Sequence, residues 1–430
     1  MEIEFHGAAR EVGRSCIEIR LENGERYLLD VGVKFGEGDL LFPQKVLDLD
    51  EVDGVFLSHA HLDHSGGLPL FENKHLKGPI FSTKQTLAIS RILLKDSYKV
   101  ARIRNLHPAY GNTDIKQVYN KSLFVDFDKW YQQKSVKFKF FNAGHIPGSA
   151  MILIEAEGKK ILYTGDMNTR GTALMYKAHT NNELKDAKID VLISESTYGH
   201  RELPDRDELK IKFLKSIETT IKQGGSVIIP TFALGRAQDI LIMLSEKKFT
   251  VPIYMEGMCN KITRKILATP SKYVKNKDIL SDMFNNKIQW ISSPRRRKGA
   301  LKKQGIFLTT SGMLQGGPVL EYVKQLWHDP KNKIALMGFQ CKNSNGRHLY
   351  EEGFVYIDGW KTMVKCAIEK YDFSGHTDVN GIKNFAKEIN PKKVFFQHGD
   401  KDAVLTLKKW ADKNLSAKAF APALGDIFKI

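Results

Sequence analysis

Thiols are scarce in this chain. Its 430 residues include four cysteines, Cys16, Cys259, Cys341 and Cys366, and no two of them form a CxxC pair. That distribution excludes a disulfide-stapled scaffold and argues against a thiolate zinc site, so the four read as small buried hydrophobes in a reducing compartment. Long apolar runs are missing as well. The longest stretches, such as Gly225 to Leu234, fall well short of the ~18 residues that a membrane span needs. The opening MEIEFHG carries no apolar signal region. A soluble, cytoplasmic protein is expected, with no membrane partner. Acidic side chains are also in deficit: 49 against 66 basic ones, a net charge of +17. An excess of that sign favours a polyanionic partner, because lysines and arginines release the counterions condensed on phosphates. Charge alone equally fits a solvated lysine surface.

What remains is an ordinary globular composition, 42% apolar and 27% charged, which excludes disordered and low-complexity classes. The length suggests two or three domains at roughly 150 residues each. Short β-branched strands recur, and many run directly into polar residues: Val55 to Leu57 before SHAHLDH, Lys160 to Tyr163 before TGD, Val191 to Ile193 before SEST, Val394 to Phe396 before QHGD. Helical spacing lies between others, as with Leu209, Phe213, Ile217 and Ile221, with Gly224 as a stop; Gly235 to Lys248 and Asp378 to Ile389 read similarly. Alternation of this kind predicts an α/β fold with its crevice along the strand ends. Near the start, Met1 to Phe5, Ser15 to Leu21 and Tyr27 to Val31 sit close together across turn-like segments. They predict antiparallel hairpins and therefore mixed sheets. The most basic run, Pro294 to Lys303, reads as a solvated loop.

The densest chemical signal is Ser58 to His64, SHAHLDH. In an extended segment alternate side chains share a face, so His59 and His61 can bind one cation together. Asp63 and His64 follow, where the chain turns toward a helix, and can face a second. Imidazole and carboxylate donors without thiolates suit Zn²⁺ in an open catalytic site. Further donors stand at other strand ends: His145 in AGHIPGSA, Asp166 in YTGD and His398 in QHGD. A carboxylate such as Asp166 can bridge two cations about 3.5–4 Å apart.

His59, His61, Asp63, His64, His145, Asp166 and His398 resemble the ligand set of the metallo-β-lactamase superfamily, with Asp30 matching its early strand-end aspartate. Glu195 in SEST, His376 in FSGHTD and His398 resemble the three extra motifs of the β-CASP nucleases within it, and PTFALGRAQD and TTSGMLQGG resemble further landmarks. GAAREVGRSC and HAHLDHSGG look closest to the archaeal cleavage and polyadenylation specificity factor branch, with ribonuclease J a near relative. Archaeal members often carry KH domains ahead of the nuclease; here the metallo-β-lactamase strands are expected from Met1, so none is expected.

The resemblance implies an αββα sandwich of mixed sheets with an inserted α/β domain. Residues 1–197 and 373–430 would form the metallo-β-lactamase part and 198–372 the β-CASP part, with 407–430 either finishing the first part or forming a dimer contact. It implies two Zn²⁺ per chain, one on His59, His61, His145 and Asp166, the other on Asp63, His64, Asp166 and His398. Asp63 counts as catalytic too. His376 would be the general acid, held by Glu195, with a helix-capping turn as its plainer reading. Asp30 would orient ligand histidines. Asp378 could do the same or cap a helix. Phosphate contacts are expected from Ser311, Arg236 and Arg347, and Gln238 and Asp239 are expected at a helix start or domain junction. The activity implied is hydrolysis of single-stranded RNA, endonucleolytic, in mRNA 3′-end processing or decay; His398 at the third extra motif is the RNA-acting variant. The alternatives are a 5′-to-3′ exoribonuclease and a non-catalytic RNA-binding subunit. Family members often form homodimers.

Overall fold

In the computed structural model, residues 1–35, 40–46, 49, 51–103, 108–179, 182–341 and 343–430 are described. Two seven-stranded mixed sheets lie face to face. The first runs, in spatial order, Ile427–Lys429, Glu2–Phe5, Ile17–Arg20, Arg26–Leu29, Gly54–Phe56, Ile80–Ser82 and Ser122–Phe124. The second runs Lys418–Phe420, Lys393–Gln397, Val191–Glu195, Lys159–Tyr163, Ala150–Ala156, Val136–Asn142 and Trp130–Gln133. Each is half antiparallel and half parallel. The predicted early hairpins are present, with Glu2 opposite Arg20 and Ile17 opposite Leu29.

Alternation along these strands fixes the layers. Ile3, Phe5, Tyr27, Phe56 and Phe81 of the first sheet meet Phe138, Phe140, Ile152, Tyr163 and Phe395 of the second in one buried core. The opposite faces are covered by helices. Leu68, Phe71 and Leu87 pack outside the first sheet, and Ile382, Phe385, Val404 and Leu407 outside the second. This is the expected αββα sandwich. Residues 407–430 complete it, through the end of the helix Lys401–Asn414 and strands at one edge of each sheet.

A third sheet is wholly parallel, in the order Ile288–Ile291, Ile253–Glu256, Ile306–Thr309, Val227–Pro230, Lys333–Met337 and Ala367–Tyr371. Helices cover both faces, as a parallel sheet requires. The helix Arg206–Lys222 begins where the Asp205 carboxylate accepts the amides of Asp207 and Glu208, and it buries Phe213, Ile217 and Ile221. The same core takes in Ala60, Ile89, Leu93 and Ile146 from the sandwich, so the two units share apolar packing. Polar ties add to it: Gln85 donates to the Thr269 carbonyl at 2.8 Å and Tyr273 to Asp128 at 2.6 Å.

Three expectations need correction. Pro294 to Lys303 is not a loop: Pro294–Ala300 is a helix, capped by Ser293, and Arg297 grips Glu256 at 2.6 and 3.0 Å. Cys341 is exposed, unlike the other three cysteines. The helix expected over Gly235 to Lys248 is Arg236–Leu244, shorter at its C-terminal end. No helix among the described residues is long and apolar enough to cross a membrane.

Candidate metal centre

Five strand ends converge at one edge of the sandwich. Arg26–Leu29 delivers Asp30, Gly54–Phe56 delivers the SHAHLDH segment, and Val136–Asn142, Lys159–Tyr163 and Lys393–Gln397 deliver His145, Asp166 and His398. Asp30 and His398 both adopt left-handed backbone, φ 60° and 51°, which turns each sharply out of its strand. Gly32 permits the close approach of the first two segments, since a Cβ there would collide with the Asp63 carbonyl.

The donors form two groups sharing Asp166. His59, His61, His145 and Asp166 lie together, as do Asp63, His64, Asp166 and His398. Asp166 Oδ2 is 3.4 Å from His59 Nε2 and 3.7 Å from His145 Nε2; its Oδ1 is 3.4 Å from His64 Nε2 and 3.2 Å from His398 Nδ1. His398 Nε2 faces Asp63 at 3.5 Å, and His145 Nε2 lies 3.1 Å from His61 Nδ1.

The outward ring nitrogens are held. His64 Nδ1 bonds Asp30 at 2.7 Å, His145 Nδ1 bonds the Gly375 carbonyl at 2.9 Å, and His59 Nδ1 meets the Ser58 hydroxyl at 3.0 Å. Asp30 is itself fixed by the Ser58 amide and hydroxyl and by the Tyr163 hydroxyl, each at 2.7 Å. Such outer contacts set tautomer and ring angle, so that Nε2 is the free donor of each of these rings. On the inner side, His59 Nε2, His64 Nε2, His398 Nε2 and Asp166 Oδ1 are buried and make no hydrogen bond of ordinary geometry. Buried polar atoms left unpaired are costly. Four of them converging, all nitrogen or carboxylate oxygen, fit a pair of divalent cations.

Charge follows the same plan in the first donor group. In the second, burial would lower His64, but Asp166 and Asp30 outweigh it and hold the ring above the ordinary histidine range. Burial, reinforced by neighbouring imidazoles, holds His59 and His145 well below the ordinary histidine range. Both are therefore neutral, as metal ligands must be. Burial would raise Asp166, but the surrounding histidines, His398 and His64 foremost, outweigh it and keep the carboxylate ionised.

Beside this cluster, His376 Nδ1 lies 3.1 Å from both oxygens of Glu195, and its Nε2 points to Asp166 Oδ2 at 4.0 Å. Glu195 is fully buried and accepts the Met167 amide at 2.7 Å. Burial lowers the His376 imidazolium, but the charge of Glu195, then that of Asp166, overcomes this and holds it up at about 9.

The remaining predicted residues lie outside the cluster. Asp378 caps the helix Val379–Ile389, accepting the Gly381 amide at 2.9 Å, and meets Arg170 at 3.4 Å; the capping alternative is the one observed. Arg236 is half-buried; loss of solvent lowers its guanidinium to about 10, and it pairs with Asp239 at 3.0 Å. Asp239 also binds Arg206 and accepts the Ala173 amide, so it sits at the junction of the two units. Gln238 donates to the Ala233 carbonyl at the start of its helix. Arg347 pairs with Glu351 along its own helix, and Ser311 donates to the Gly316 carbonyl. Sequence reasoning missed the supports at Tyr163 and Gly375. Tyr163, three residues before Asp166, carried a usable signal in YTGD. The Gly375 carbonyl carried none, since any residue offers one.

Fold and cluster together define a metallo-hydrolase of the metallo-β-lactamase type. Residues 9–230 match the Metallo-beta-lactamase superfamily, 237–349 the Beta-Casp domain, and 361–422 the Zn-dependent metallo-hydrolase RNA specificity domain. The chain belongs to the β-CASP metallo-hydrolase ribonuclease family of that superfamily. It is 37% identical to "Probable RNase MJ4" of Methanocaldococcus jannaschii, over the full length of both chains. It is 32% identical to RNase aCSPSF2 of Saccharolobus solfataricus, covering 98% of this chain and 84% of that one. Cleavage and polyadenylation specificity factor 73 of Drosophila melanogaster is 30% identical over 97% of this chain and 63% of its own length. A crystal structure of a protein of unknown function from Enterococcus faecalis V583 shares the fold across 99% of each chain, with a TM-score of 0.64 and 15% identity.

Proposed function

We propose that this protein hydrolyses phosphodiester bonds of single-stranded RNA, cutting internally, with two zinc ions per chain. One ion would be held by His59, His61, His145 and Asp166, the other by Asp63, His64, Asp166 and His398. The observation that carries this reading is the pairing of two converging donor groups with a histidine braced by a buried glutamate at their rim. When bound, the cations supply Lewis acidity, lowering the pKa of water and neutralising phosphate oxygens. His376 supplies the proton: with Nδ1 held by Glu195, its Nε2–H is directed at the cluster, where the leaving ribose oxygen needs it. Asp30 fixes the His64 ring, and Asp63 faces His398 across the second donor group.

The same reading divides the chain into a metallo-β-lactamase part, 1–197 and 373–430, and an inserted β-CASP part, 198–372. The names of its relatives, ribonucleases, a polyadenylation factor and transcription termination factors, support RNA as the substrate and mRNA 3′-end processing or decay, in the cytoplasm, as the setting. A homodimer belongs to this reading, and sedimentation equilibrium decides it. An RNase J-like protein, 36% identical over all of this chain, supports the runner-up, 5′-to-3′ exonuclease activity. Circular RNA separates the two: cut circles at two equivalents of zinc are expected, whereas intact circles beside digested 5′-monophosphate RNA would establish the exonuclease.

A further inference from the structure

The third sheet brings two phenylalanines to the same edge that carries His376. Val227–Pro230 and Lys333–Met337 are parallel neighbours, with Val227 in register with Lys333. Phe232 and Phe339 each lie two residues past the C-terminal end of their strand, Pro230 and Met337. Their rings stay in water, at 39% and 44% exposure, although Ala233, Leu234 and Gln340 beside them are buried. The loops that hold them touch the metal centre's own loops. A Cβ on Gly235 would press on the side chain of Ile146, next to His145. The Gly338 amide donates to the Tyr371 carbonyl at 2.8 Å, on the strand that leads to Gly375 and His376.

We infer that Phe232 and Phe339 form a stacking rail for unpaired nucleobases of the RNA, setting which nucleotides lie over the metal centre. The inference rests on the ribonuclease reading and extends it to the base-binding groups. A phenyl ring offers a π face and no hydrogen bond, so it accepts every base while favouring those with the larger face. The donor cluster beside it takes the phosphate, and the net charge of +17 draws in the backbone. Bases in a duplex are already stacked and paired, so such a rail selects single strands.

The test is steady-state cleavage of A-rich, U-rich and abasic RNA 20-mers by the zinc-loaded protein and by Phe232→Leu, Phe339→Leu, Phe232→Trp and Phe339→Trp. Leucine keeps most of the side-chain bulk and lacks the π face. Each leucine variant is expected to raise KM on A-rich RNA about tenfold and to erase the preference for A-rich over U-rich RNA. Tryptophan should restore both, and the penalty should shrink to within about twofold on abasic RNA. A merely structural role predicts the opposite order, with leucine tolerated and tryptophan harmful. If the parent protein cuts RNA and its leucine variants match it in KM, the rail is wrong and the ribonuclease reading stands. If the parent protein cuts no RNA, both fall.

Discussion

The donor-bearing end of the sandwich and the third sheet handle buried charge in opposite ways. At the end of the sandwich, Asp30, His59, His64, His145, Asp166, Glu195 and His398 are all buried, and Lys and Arg are absent from the contacts that join them. In the third sheet each of the two best-buried acids is answered by arginine, Asp239 by Arg206 and Arg236, and Glu256 by Arg297. A buried anion needs a counter-charge. Where arginine supplies it the balance is complete within the protein; where only imidazoles surround it, the site has room for a metal cation to complete it. That difference singles out, independently of any motif, the cluster that the proposed function makes the metal centre.

Asp166→Asn should break the comparison most completely. Losing the shared carboxylate should cut turnover on the order of a thousandfold or more and lower bound zinc from two toward one or none by elemental analysis. Retention of two zinc ions and full turnover would remove Asp166 from the centre. His376→Gln should reduce turnover roughly 10²- to 10⁴-fold with zinc content unchanged. Glu195 holds the acid form of His376 above its ordinary range, so parent activity should fall along an alkaline limb as pH rises and the variant should lose that limb. An identical alkaline profile in the variant would assign the proton to another group.

On the other side of the comparison, Asp239→Asn leaves two guanidinium groups facing a neutral amide. It should cost about 3–5 kcal/mol in chemical denaturation while zinc content holds. A variant of parental stability that loses zinc would reverse the roles of the two regions. The smallest effect is expected from Asp30→Asn, which weakens the acceptor of the His64 N–H and should lower zinc affinity about 10- to 100-fold, measured by competition with a chelator dye.

Much of the centre was legible because its donors are rare residue types at the ends of recognisable strands. HAHLDH announces itself, and Asp30, Asp166 and His398 each follow a β-branched or aromatic run. Pairings between distant side chains were not. Arg236 could equally be a phosphate contact or an ion-pair partner; it pairs with Asp239, and RAQD places the two at i, i+3, a spacing that pairs charges on a helix. The basic run after Ser293 looked like a loop because its charge outweighed a better cue, serine followed by proline at a helix start. Glu256, some forty residues earlier, is what absorbs Arg297, and no local pattern could connect them.

The order of the strands carries a consequence for how the protein is made. His398, the last donor, and Ile427–Lys429, which pairs with Glu2–Phe5, both leave the ribosome after the entire third sheet. A nascent chain therefore holds the early histidines without their partners, and the donor cluster can close only once His398 has emerged.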